Sequence, residues 1–364
     1  MTEHVLTHIE GHTGVITLDR PAALNSLSLE MVRAMTQALL YWRDDPAVRA
    51  VLVRGSSERA YCAGGDIRFF HQKGSATHTG GAALVEDFFN EEYALNHLVH
   101  SYPKPYIALM DGVVMGGGMG IAQAGPRARL RVVTERTKMA MPEVGIGLFP
   151  DVGGSWFLSR APGEVGTYLA VTGEMIGAAD AIYADLADIF VPGAELPALQ
   201  AAIAGAADAR SAARAFAQPF AAQADPASSR LAQARDAIDR HFAHDSVQAI
   251  MDSLAGDSGD FATRALATMQ KRSPLMMSVT LEQVRRGRTL GIADCLRMER
   301  TLVRRCFENG EVLEGVRALA IDKDHAPKWN PPTLAGVTPE MVEQFFVSAW
   351  PGYAHPLRHL EDRA

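Results

Sequence analysis

The sequence predicts an α/β fold in which strands of a parallel sheet are joined by helices, followed by a helical region. Two continuous apolar runs, VRAVLVRGS (48–56) and YPKPYIALMDG (102–112), are typical of strands that are buried on both faces of a parallel sheet. A helical pattern over about 82–101 lies between them and completes a β-α-β unit. After about residue 155 the composition changes, and residues 196–270 are rich in alanine at helical spacing.

The first fifty residues predict a hairpin and then a helix. The segment HVLTHIEG (4–11) and the alternation around 15–18 are typical of two strands, with a turn over 11–14. Ser28 is a good N-cap for the apolar pattern that follows it, and Pro46 ends that pattern. We therefore expect a helix between these two residues.

The chain beyond the sheet predicts helices only. Pro219 and Pro226 divide the alanine-rich stretch into separate helices, and no strand is expected there. A further helical block begins at Pro274, the stretch IDKDHAPKWNPPTL (321–334) is expected to be extended, and a last helix lies near 339–348. We accordingly divide the chain into an α/β core over residues 1–200 and a helical C-terminal region over residues 201–364 that packs on it.

Composition and charge exclude several classes of protein. The chain has 364 residues, 48% of them hydrophobic, and a formal net charge of -7, which argues against a general nucleic-acid binder. The three cysteines, Cys62, Cys295 and Cys306, show no metal-ligand spacing and fit a reducing compartment. The sequence shows neither a signal-peptide pattern nor an apolar run of membrane-spanning length. We expect a soluble cytoplasmic protein without a bound metal.

One carboxylate falls on the apolar face of the predicted helix over 82–101. Glu92 projects near the middle of an apolar stripe, whereas Glu91 projects at its edge. The stripe comprises Leu84, Val85, Phe88, Leu95 and Val99. A buried carboxylate is costly without a partner, so Glu92 is either a capping or salt-bridging residue of the core or part of a functional site.

Glycine-rich turns follow both predicted buried strands. These turns, CAGGDI (62–67) and GVVMGGGMGIA (112–122), each lead toward a helix, where backbone N–H groups are unsatisfied donors. Side by side, they could hold one developing oxyanion. Neither turn is a P-loop or a dinucleotide fingerprint, and the chain has no Gly-x-Ser-x-Gly elbow.

The stretch AMPEVGIGLFPDVGG (140–154) places two carboxylates, Glu143 and Asp151, among apolar residues and glycines without a basic neighbour. Such surroundings exclude water and raise the pKa of a carboxyl group, which suits acid/base chemistry. The simpler alternative for Asp151 is that it caps a helix beginning at Val152.

An ordered set of motifs resembles the crotonase (enoyl-CoA hydratase/isomerase) superfamily over about the first 200 residues. The motifs are RPAALNSLS (20–28), AYCAGGDI (60–67), KPYIALMDGVVMGGGMGIA (104–122) and AMPEVGIGLFPDVGG (140–154). Further segments resemble the 3-hydroxyisobutyryl-CoA hydrolases of that superfamily over nearly the whole chain. These segments are FFNEEYALN (88–96), GLFPDVGGSWFLSR (147–160), RSPLMMSVTLEQ (272–283) and EGVRALAIDKDHAPKW (314–329). The resemblance implies a crotonase-like spiral of β-β-α units.

The resemblance also implies a role for each candidate residue. The amides of Gly65 and Gly117 would bind the thioester carbonyl oxygen as it gains charge. Glu143 would activate water or attack the carbonyl carbon, and these two alternatives are left open. Glu92 and Asp151 would hold the 3-hydroxyl end of the substrate, and Asp151 would also pass a proton to the leaving thiolate.

One departure from the superfamily pattern distinguishes the reactions. Hydratases carry a catalytic glutamate in the helix after the second glycine turn, and Gly120 stands at that place here. Addition of water to a double bond needs two positioned acid/base groups, so this departure favours hydrolysis. The expected function is hydrolysis of 3-hydroxyisobutyryl-CoA in valine degradation, with coenzyme A present as part of the substrate and no other cofactor.

Two other functions and two properties are left open. The protein could be an enoyl-CoA hydratase/isomerase acting on another short acyl-CoA, or an acyl-CoA-binding relative without catalysis. The acyl chain is open because 3-hydroxypropionyl-CoA differs by one methyl group, which is worth about 1–3 kcal/mol of discrimination. A homo-oligomer is also open, since superfamily members often form trimers and the alanine-rich stretch could alter that interface.

Overall fold

The structure, a computed structural model, describes residues 2–76 and 82–362. The strands are β1 (Val5–Glu10), β2 (Thr13–Leu18), β3 (Ala50–Gly55), β4 (Ala60–Cys62), β5 (Tyr106–Met110), β6 (Val113–Met115), β7 (Arg129–Val133), β8 (Lys138–Ala140) and β9 (Ile189–Phe190).

Helices occupy most of the remaining chain. The α-helices are α1 (Leu29–Asp44), α2 (Ile67–Gly74), α3 (Ala83–His100), α4 (Gly117–Gly120), α5 (Gly154–Leu158), α6 (Val165–Thr172), α7 (Ala178–Tyr183), α8 (Leu196–Ala204), α9 (Ala209–Ala217), α10 (Arg230–Gln233), α11 (Arg235–Phe242), α12 (Val247–Ala255), α13 (Asp260–Met269), α14 (Pro274–Gly287), α15 (Ile292–Asn309), α16 (Glu311–Val316) and α17 (Pro339–Phe346). Short 3-10 helices lie at Pro21–Ala23, Glu143–Ile146, Gly193–Glu195, Gln218–Ala224, Pro226–Ser228, Leu334–Gly336 and Gly352–Ala354, and one π-helical turn lies at Arg317–Ile321.

The strands form two sheets, one of six strands and one of three. The larger sheet has the order β1-β2-β3-β5-β7-β9, and every pair in it is parallel except the β1-β2 hairpin. The smaller sheet has the order β4-β6-β8 and is parallel throughout. Each of the strands β3, β5 and β7 is thus followed by a short strand of the second sheet, which matches the predicted repetition of β-β-α units.

The predicted elements of the first hundred residues are present, with two differences in detail. Ser28 caps α1 by accepting a hydrogen bond from the amide of Met31. The hairpin turn comprises only residues 11 and 12, because Gly14 belongs to β2 and pairs with Ile9. Leu84, which we predicted on the buried stripe of α3, is 46% exposed, because the first turn of the helix presents Val85, and not Leu84, to the core.

Helices cover both faces of the larger sheet. One face of its strands packs into the main core, which also contains α1, α3 and much of the C-terminal region. The other face forms a smaller core with α8 and α9. Strands that are buried on both faces explain the continuous apolar runs in the sequence.

The C-terminal helices pack directly on the segments that follow the short strands. Helix α14 contacts α5 and α6, α15 contacts α3 and α5, and α16 contacts α2 and the turn at 143–146. No strand lies within 196–270, as expected. The division into domains at residue 200 stays a prediction. Of the helices in the described residues, none combines the length and the apolar character that a membrane crossing requires.

Candidate active site

The two glycine turns lie side by side at the ends of β4 and β6. A Cβ atom placed on Gly117 would be 3.3 Å from the amide nitrogen of Gly65, so the two turns are in contact. Among the described residues, no acceptor receives a hydrogen bond from either amide. Positive φ angles at Gly64 (+96°) and Gly116 (+49°) turn the chain immediately before each of these residues, which favours glycine there. Within the described residues, two amide donors without an acceptor thus lie side by side.

The helices behind these turns are less regular than expected. Helix α4 has only four residues, beginning at Gly117, so its dipole adds little. Helix α2 begins at Ile67, two residues after Gly65, and Asp66 is its N-cap. A negative charge in this region would therefore be stabilised by hydrogen bonds from the individual amides of Gly65 and Gly117. The dipoles of α2 and α4 would add little.

Two carboxylates abut the second glycine turn. A Cβ atom on Gly117 would lie 2.6 Å from Oε1 of Glu92, and a Cβ atom on Gly116 would lie 2.7 Å from Oε1 of Glu143. Glu92 comes from α3, and Glu143 begins the 3-10 turn after β8. Both side chains are buried, and Oε1 of Glu92 and Oε2 of Glu143 have no hydrogen-bond partner. The lack of side chains on the glycines leaves room for these carboxylates.

Asp151 is held differently. Its Oδ2 accepts a hydrogen bond of 2.7 Å from the hydroxyl of Tyr93, which follows Glu92 on α3. Helix α5 begins at Gly154, and its first amides do not use the Asp151 carboxylate. Instead, Glu299 of α15 accepts hydrogen bonds from the amides of Gly153 (2.7 Å) and Ser155 (2.9 Å). The simpler alternative, in which Asp151 caps this helix, is wrong.

All five predicted site residues line one cavity of about 190 Å³. Gly65 and Gly117 form part of its wall, and Glu92, Glu143 and Asp151 supply its carboxylates. The rest of the wall is largely apolar and consists of Ala63, Gly64, Ile67, Phe70, Phe89, Met115, Gly116, Pro142, Ile146, Leu148, Val152 and Leu319. The cavity therefore combines two amide donors with three carboxylates in largely apolar surroundings.

Burial raises the pKa of each of these carboxyl groups. The pKa of Glu92 is raised well above its usual value by burial and then by the nearby Asp151 and Glu143. The pKa of Glu143 is raised well above its usual value by burial and then by Asp151. Burial raises the pKa of Asp151 to about 6, although the hydrogen bond from Tyr93 lowers it. Asp151 is consequently the carboxyl group of the three that most readily ionises.

Glu92 is not held by an ion pair of the core. No cation within the described residues pairs with it, whereas its neighbour Glu91 pairs with Arg33 at 2.6 Å on the surface. Glu92 is 2% exposed, so the two adjacent glutamates occupy opposite environments, as the helical projection predicts. A buried carboxylate without a cation is typical of a functional site.

Gly120 has no room for a side chain. A Cβ atom there would lie 2.5 Å from Cβ of Val152 and 2.7 Å from Nδ2 of Asn96. A glutamate at this position would require Val152 and the turn that carries it to move. The position used by the superfamily's first glutamate is thus closed by packing.

Three residues of the site environment were not predicted from the sequence: Tyr93, Gln283 and Glu299. The sequence does offer an indication for Tyr93, because it follows Glu92 directly and lies one helical turn after Phe89 in the same predicted helix. Gln283 and Glu299 lie on α14 and α15 and contact a turn more than 120 residues earlier, so no local pattern indicates them. Burial raises the pKa of Glu299, whereas the Ser155 hydroxyl and the two amide hydrogen bonds favour its ionised form and lower that pKa.

Comparison with known proteins agrees with this architecture. The family described as "Enoyl-CoA hydratase/isomerase" matches residues 13–346. A curated relative, the mitochondrial 3-hydroxyisobutyryl-CoA hydrolase of Xenopus tropicalis, is 39% identical over 362 residues, covering 96% of this chain and 91% of the relative.

Two solved structures share the fold. A carnitinyl-CoA dehydratase from Mycobacterium thermoresistibile has a TM-score of 0.88 and 41% identity, covering 96% of this chain and 98% of the other. An enoyl-CoA hydratase from Rhodobacter sphaeroides 2.4.1 has a TM-score of 0.83 and 38% identity, covering 95% and 98%. The predicted crotonase-like fold is confirmed, and the chain belongs to the enoyl-CoA hydratase/isomerase family.

Proposed function

We propose that the protein hydrolyses the thioester bond of 3-hydroxyisobutyryl-CoA to give 3-hydroxyisobutyrate and coenzyme A. The observation that carries this proposal is the cavity in which the free amides of Gly65 and Gly117 adjoin the buried carboxylate of Glu143. Oxyanion donors and one carboxylate are the groups that acyl transfer from a thioester needs. The 39% identity to a curated 3-hydroxyisobutyryl-CoA hydrolase supports the same reaction.

The two amides would stabilise the tetrahedral intermediate. The thioester carbonyl oxygen lies between the amides of Gly65 and Gly117 and gains negative charge as its carbon is attacked. Donors that are already oriented in an apolar cavity need no reorganisation at that moment, and one such donor is worth about 2.7–4 kcal/mol.

Glu143 acts on the carbonyl carbon from beside the turn. As a general base it removes a proton from water, the water oxygen bonds to the carbon, and the C–S bond breaks to release the thiolate. As a nucleophile it forms an anhydride while the thiolate leaves, and water then cleaves the anhydride. Both routes consume one water molecule and yield one acid and one thiol, and both use the ionised form of Glu143.

Glu92 and Asp151 bind the substrate's 3-hydroxyl group. Glu92, whose burial favours the protonated form, donates or accepts one hydrogen bond, and Asp151 accepts another. With a pKa of about 6, Asp151 also suits proton transfer to the leaving thiolate, and the proton lost by the attacking water, passed on through Glu143, replaces the one that Asp151 gives up.

A second candidate function is hydration or dehydration of an acyl-CoA. The two solved structures compared above are of a carnitinyl-CoA dehydratase and an enoyl-CoA hydratase, and both exceed 35% identity. Against this reaction stands Gly120, where packing against Val152 leaves no space for the glutamate that a hydratase would need there.

One pair of assays separates these functions. Thiol release from 3-hydroxyisobutyryl-CoA is measured with a thiol reagent, and hydration of crotonyl-CoA is measured from the loss of enoyl-thioester absorbance. Thiol release with little hydration is the expected result. Rapid hydration without thiol release contradicts the proposal, and tight acyl-CoA binding without either reaction supports a binding protein.

The acyl chain, the compartment and the oligomeric state are further proposals. A panel of 3-hydroxyacyl-CoA substrates tests the acyl chain, with 3-hydroxypropionyl-CoA as the nearest competitor, and preference for the branched substrate supports a role in valine degradation.

No metal or further cofactor is proposed. The three buried free cysteines support a reducing compartment such as the cytoplasm, although the Xenopus relative is named as mitochondrial. Sedimentation tests whether the protein forms homo-oligomers.

A further inference from the structure

The turn that carries Asp151 has an unfavourable backbone conformation. Val152, the next residue, has a φ of +54°, and Gly153 has a φ of +90°. A positive φ is rare for any side chain and is an outlier for a β-branched residue, because Cβ crowds the backbone. Such a conformation persists only where surrounding contacts enforce it.

Two side chains of the C-terminal helices enforce this turn. Glu299 of α15 accepts the amides of Gly153 and Ser155, one on each carboxylate oxygen, at 2.7 and 2.9 Å. Gln283 of α14 donates its Nε2 hydrogens to the carbonyl oxygen of Pro150 (2.6 Å) and to the hydroxyl of Ser155 (2.8 Å). The four hydrogen bonds lie on both sides of Asp151.

Neither side chain reaches the substrate cavity. Of the turn at 150–155, Asp151 and Val152 line the cavity. Neither Glu299 nor Gln283 is among the described residues that line it. Glu299 is fully buried, and Gln283 is also fully buried. Their hydrogen bonds are made to backbone atoms of Pro150, Gly153 and Ser155 and to the hydroxyl of Ser155, and none is made to the Asp151 carboxylate.

We infer that Glu299, assisted by Gln283, is a positioning residue that holds the turn at 150–155 so that Asp151 faces the substrate. This inference rests on the proposed function, in which Asp151 contacts the substrate. It makes α14 and α15 part of the catalytic apparatus, and not merely a cover for the core.

The chemistry of the contact requires a carboxylate at position 299. A carboxylate offers one acceptor oxygen to each of the two amides. A glutamine has the same shape but only one acceptor, and its NH₂ group would face the second amide donor. Glu299→Gln therefore loses one hydrogen bond and introduces repulsion while preserving the packing volume. Glu299→Asp retains both acceptors and should recover part of the lost activity.

The test is a double-mutant cycle with Asp151→Asn, measured as thiol release from 3-hydroxyisobutyryl-CoA. If Glu299 acts through Asp151, Glu299→Gln lowers kcat by roughly 10- to 100-fold with a smaller change in KM, since misplacement of a reacting group costs rate. In the Asp151→Asn background the same substitution changes kcat by less than about threefold, because residues acting as a unit are not additive. Where Asp151→Asn is too slow to measure, Tyr93→Phe takes its place in the cycle.

Controls distinguish positioning from general stability. Asp180, another buried carboxylate, accepts the amide of Leu231 at 3.0 Å outside the cavity, so Asp180→Asn should affect melting temperature without a comparable loss of kcat. Multiplicative effects of Glu299→Gln and Asp151→Asn overturn the inference. If Glu299→Gln does not fold, Gln283→Met enters the same cycle, and multiplicative effects there overturn it as well.

Failure of the proposed function gives a different result. Wild-type protein that releases no thiol from 3-hydroxyisobutyryl-CoA overturns the proposed function. A folded Asp151→Asn protein with wild-type thiol release leaves hydrolysis in place but removes Asp151 from the mechanism, and with it the positioning role of Glu299. A slow Asp151→Asn protein beside a fully active Glu299→Gln protein overturns only the positioning role.

Discussion

The phenolic hydroxyl of Tyr93 donates a hydrogen bond of 2.7 Å to Oδ2 of Asp151, so α3 supplies both this contact and the adjacent carboxylate of Glu92. A donor to a carboxylate stabilises its ionised form and opposes the effect of burial. The pKa of Asp151 is accordingly raised only to about 6, whereas those of Glu92 and Glu143 are raised further. Tyr93 thus gives one carboxyl group of the three a pKa near neutrality.

Tyr93→Phe should raise the pKa of Asp151. The variant removes a hydrogen bond to the charged form, so the ionised carboxylate becomes less favourable. The limb of the kcat/KM profile that reports Asp151 should therefore move to higher pH. A hydrogen bond to a charged group is worth about 1.5–3 kcal/mol, which corresponds to about one to two pH units.

A second buried tyrosine provides the control for this profile. The hydroxyl of Tyr61 is buried and has no hydrogen-bond partner, so Tyr61→Phe removes the same atom without touching Asp151. Its pH profile should match that of the wild type. Equal shifts in both variants, or no shift in Tyr93→Phe, would contradict the assignment of that limb to Asp151.

Glu143→Gln should lower kcat for thiol release by a factor of about 100 or more. The amide has the shape of the carboxylate but can neither remove a proton nor attack the carbonyl carbon. Melting temperature should be unchanged or higher, since an unpartnered buried carboxylate oxygen is removed. Near-wild-type turnover by the folded variant would remove Glu143 from the mechanism, and Asp180→Asn serves as the control for loss of a buried carboxylate elsewhere.

The sequence predicted those parts of the fold that have a local signal. Ser28 at the start of α1 and the continuous apolar runs of β3 and β5 led to correct elements because capping and burial on two faces leave a pattern within ten residues. The strands of the smaller sheet were missed. Each of them has only three residues, which is too short to show an alternation.

The predictions for the site also succeed where a local sequence pattern exists and fail where packing decides the position. The helical projection separated Glu92 from Glu91 correctly, because both environments follow from one periodic element. It failed for Leu84, whose position depends on what packs against the first turn of α3. Glu299 lies 146 residues from Gly153 along the chain, and its role depends on how α15 packs, which no local pattern encodes.

Gly117→Ala should reduce thiol release by about 10²- to 10³-fold, equivalent to the loss of one oxyanion donor at about 2.7–4 kcal/mol. The added Cβ would lie 2.6 Å from Oε1 of Glu92 and 3.3 Å from the amide nitrogen of Gly65, so the turn must shift. Gly177→Ala is the matched control, because nothing lies within 4 Å of a Cβ placed there. Unchanged hydrolysis by folded Gly117→Ala protein would mean that the carbonyl oxygen binds elsewhere.

The last prediction compares two adjacent glutamates. Glu92→Gln should reduce the preference for 3-hydroxyacyl-CoA over the unsubstituted acyl-CoA, because Glu92 borders the cavity and contacts the hydroxyl in the proposed complex. Glu91→Gln should leave that preference intact. It breaks an exposed ion pair with Arg33, which is worth at most about 1 kcal/mol of stability. The measurements are kcat/KM for both substrates and the melting temperature of each variant.

Stability against pH gives Glu92 a second, independent test. Burial raises its pKa in the folded protein, so between its usual value of 4.5 and that raised value the folded state binds more protons than the unfolded chain. This contribution to stability is present at low pH and is lost as the pH rises. Glutamine cannot ionise, so the melting temperature of Glu92→Gln relative to wild type should increase from about pH 5 to about pH 8. A variant that melts lower than wild type at both pH values and keeps its full 3-hydroxyl preference would return Glu92 to a structural role in the core.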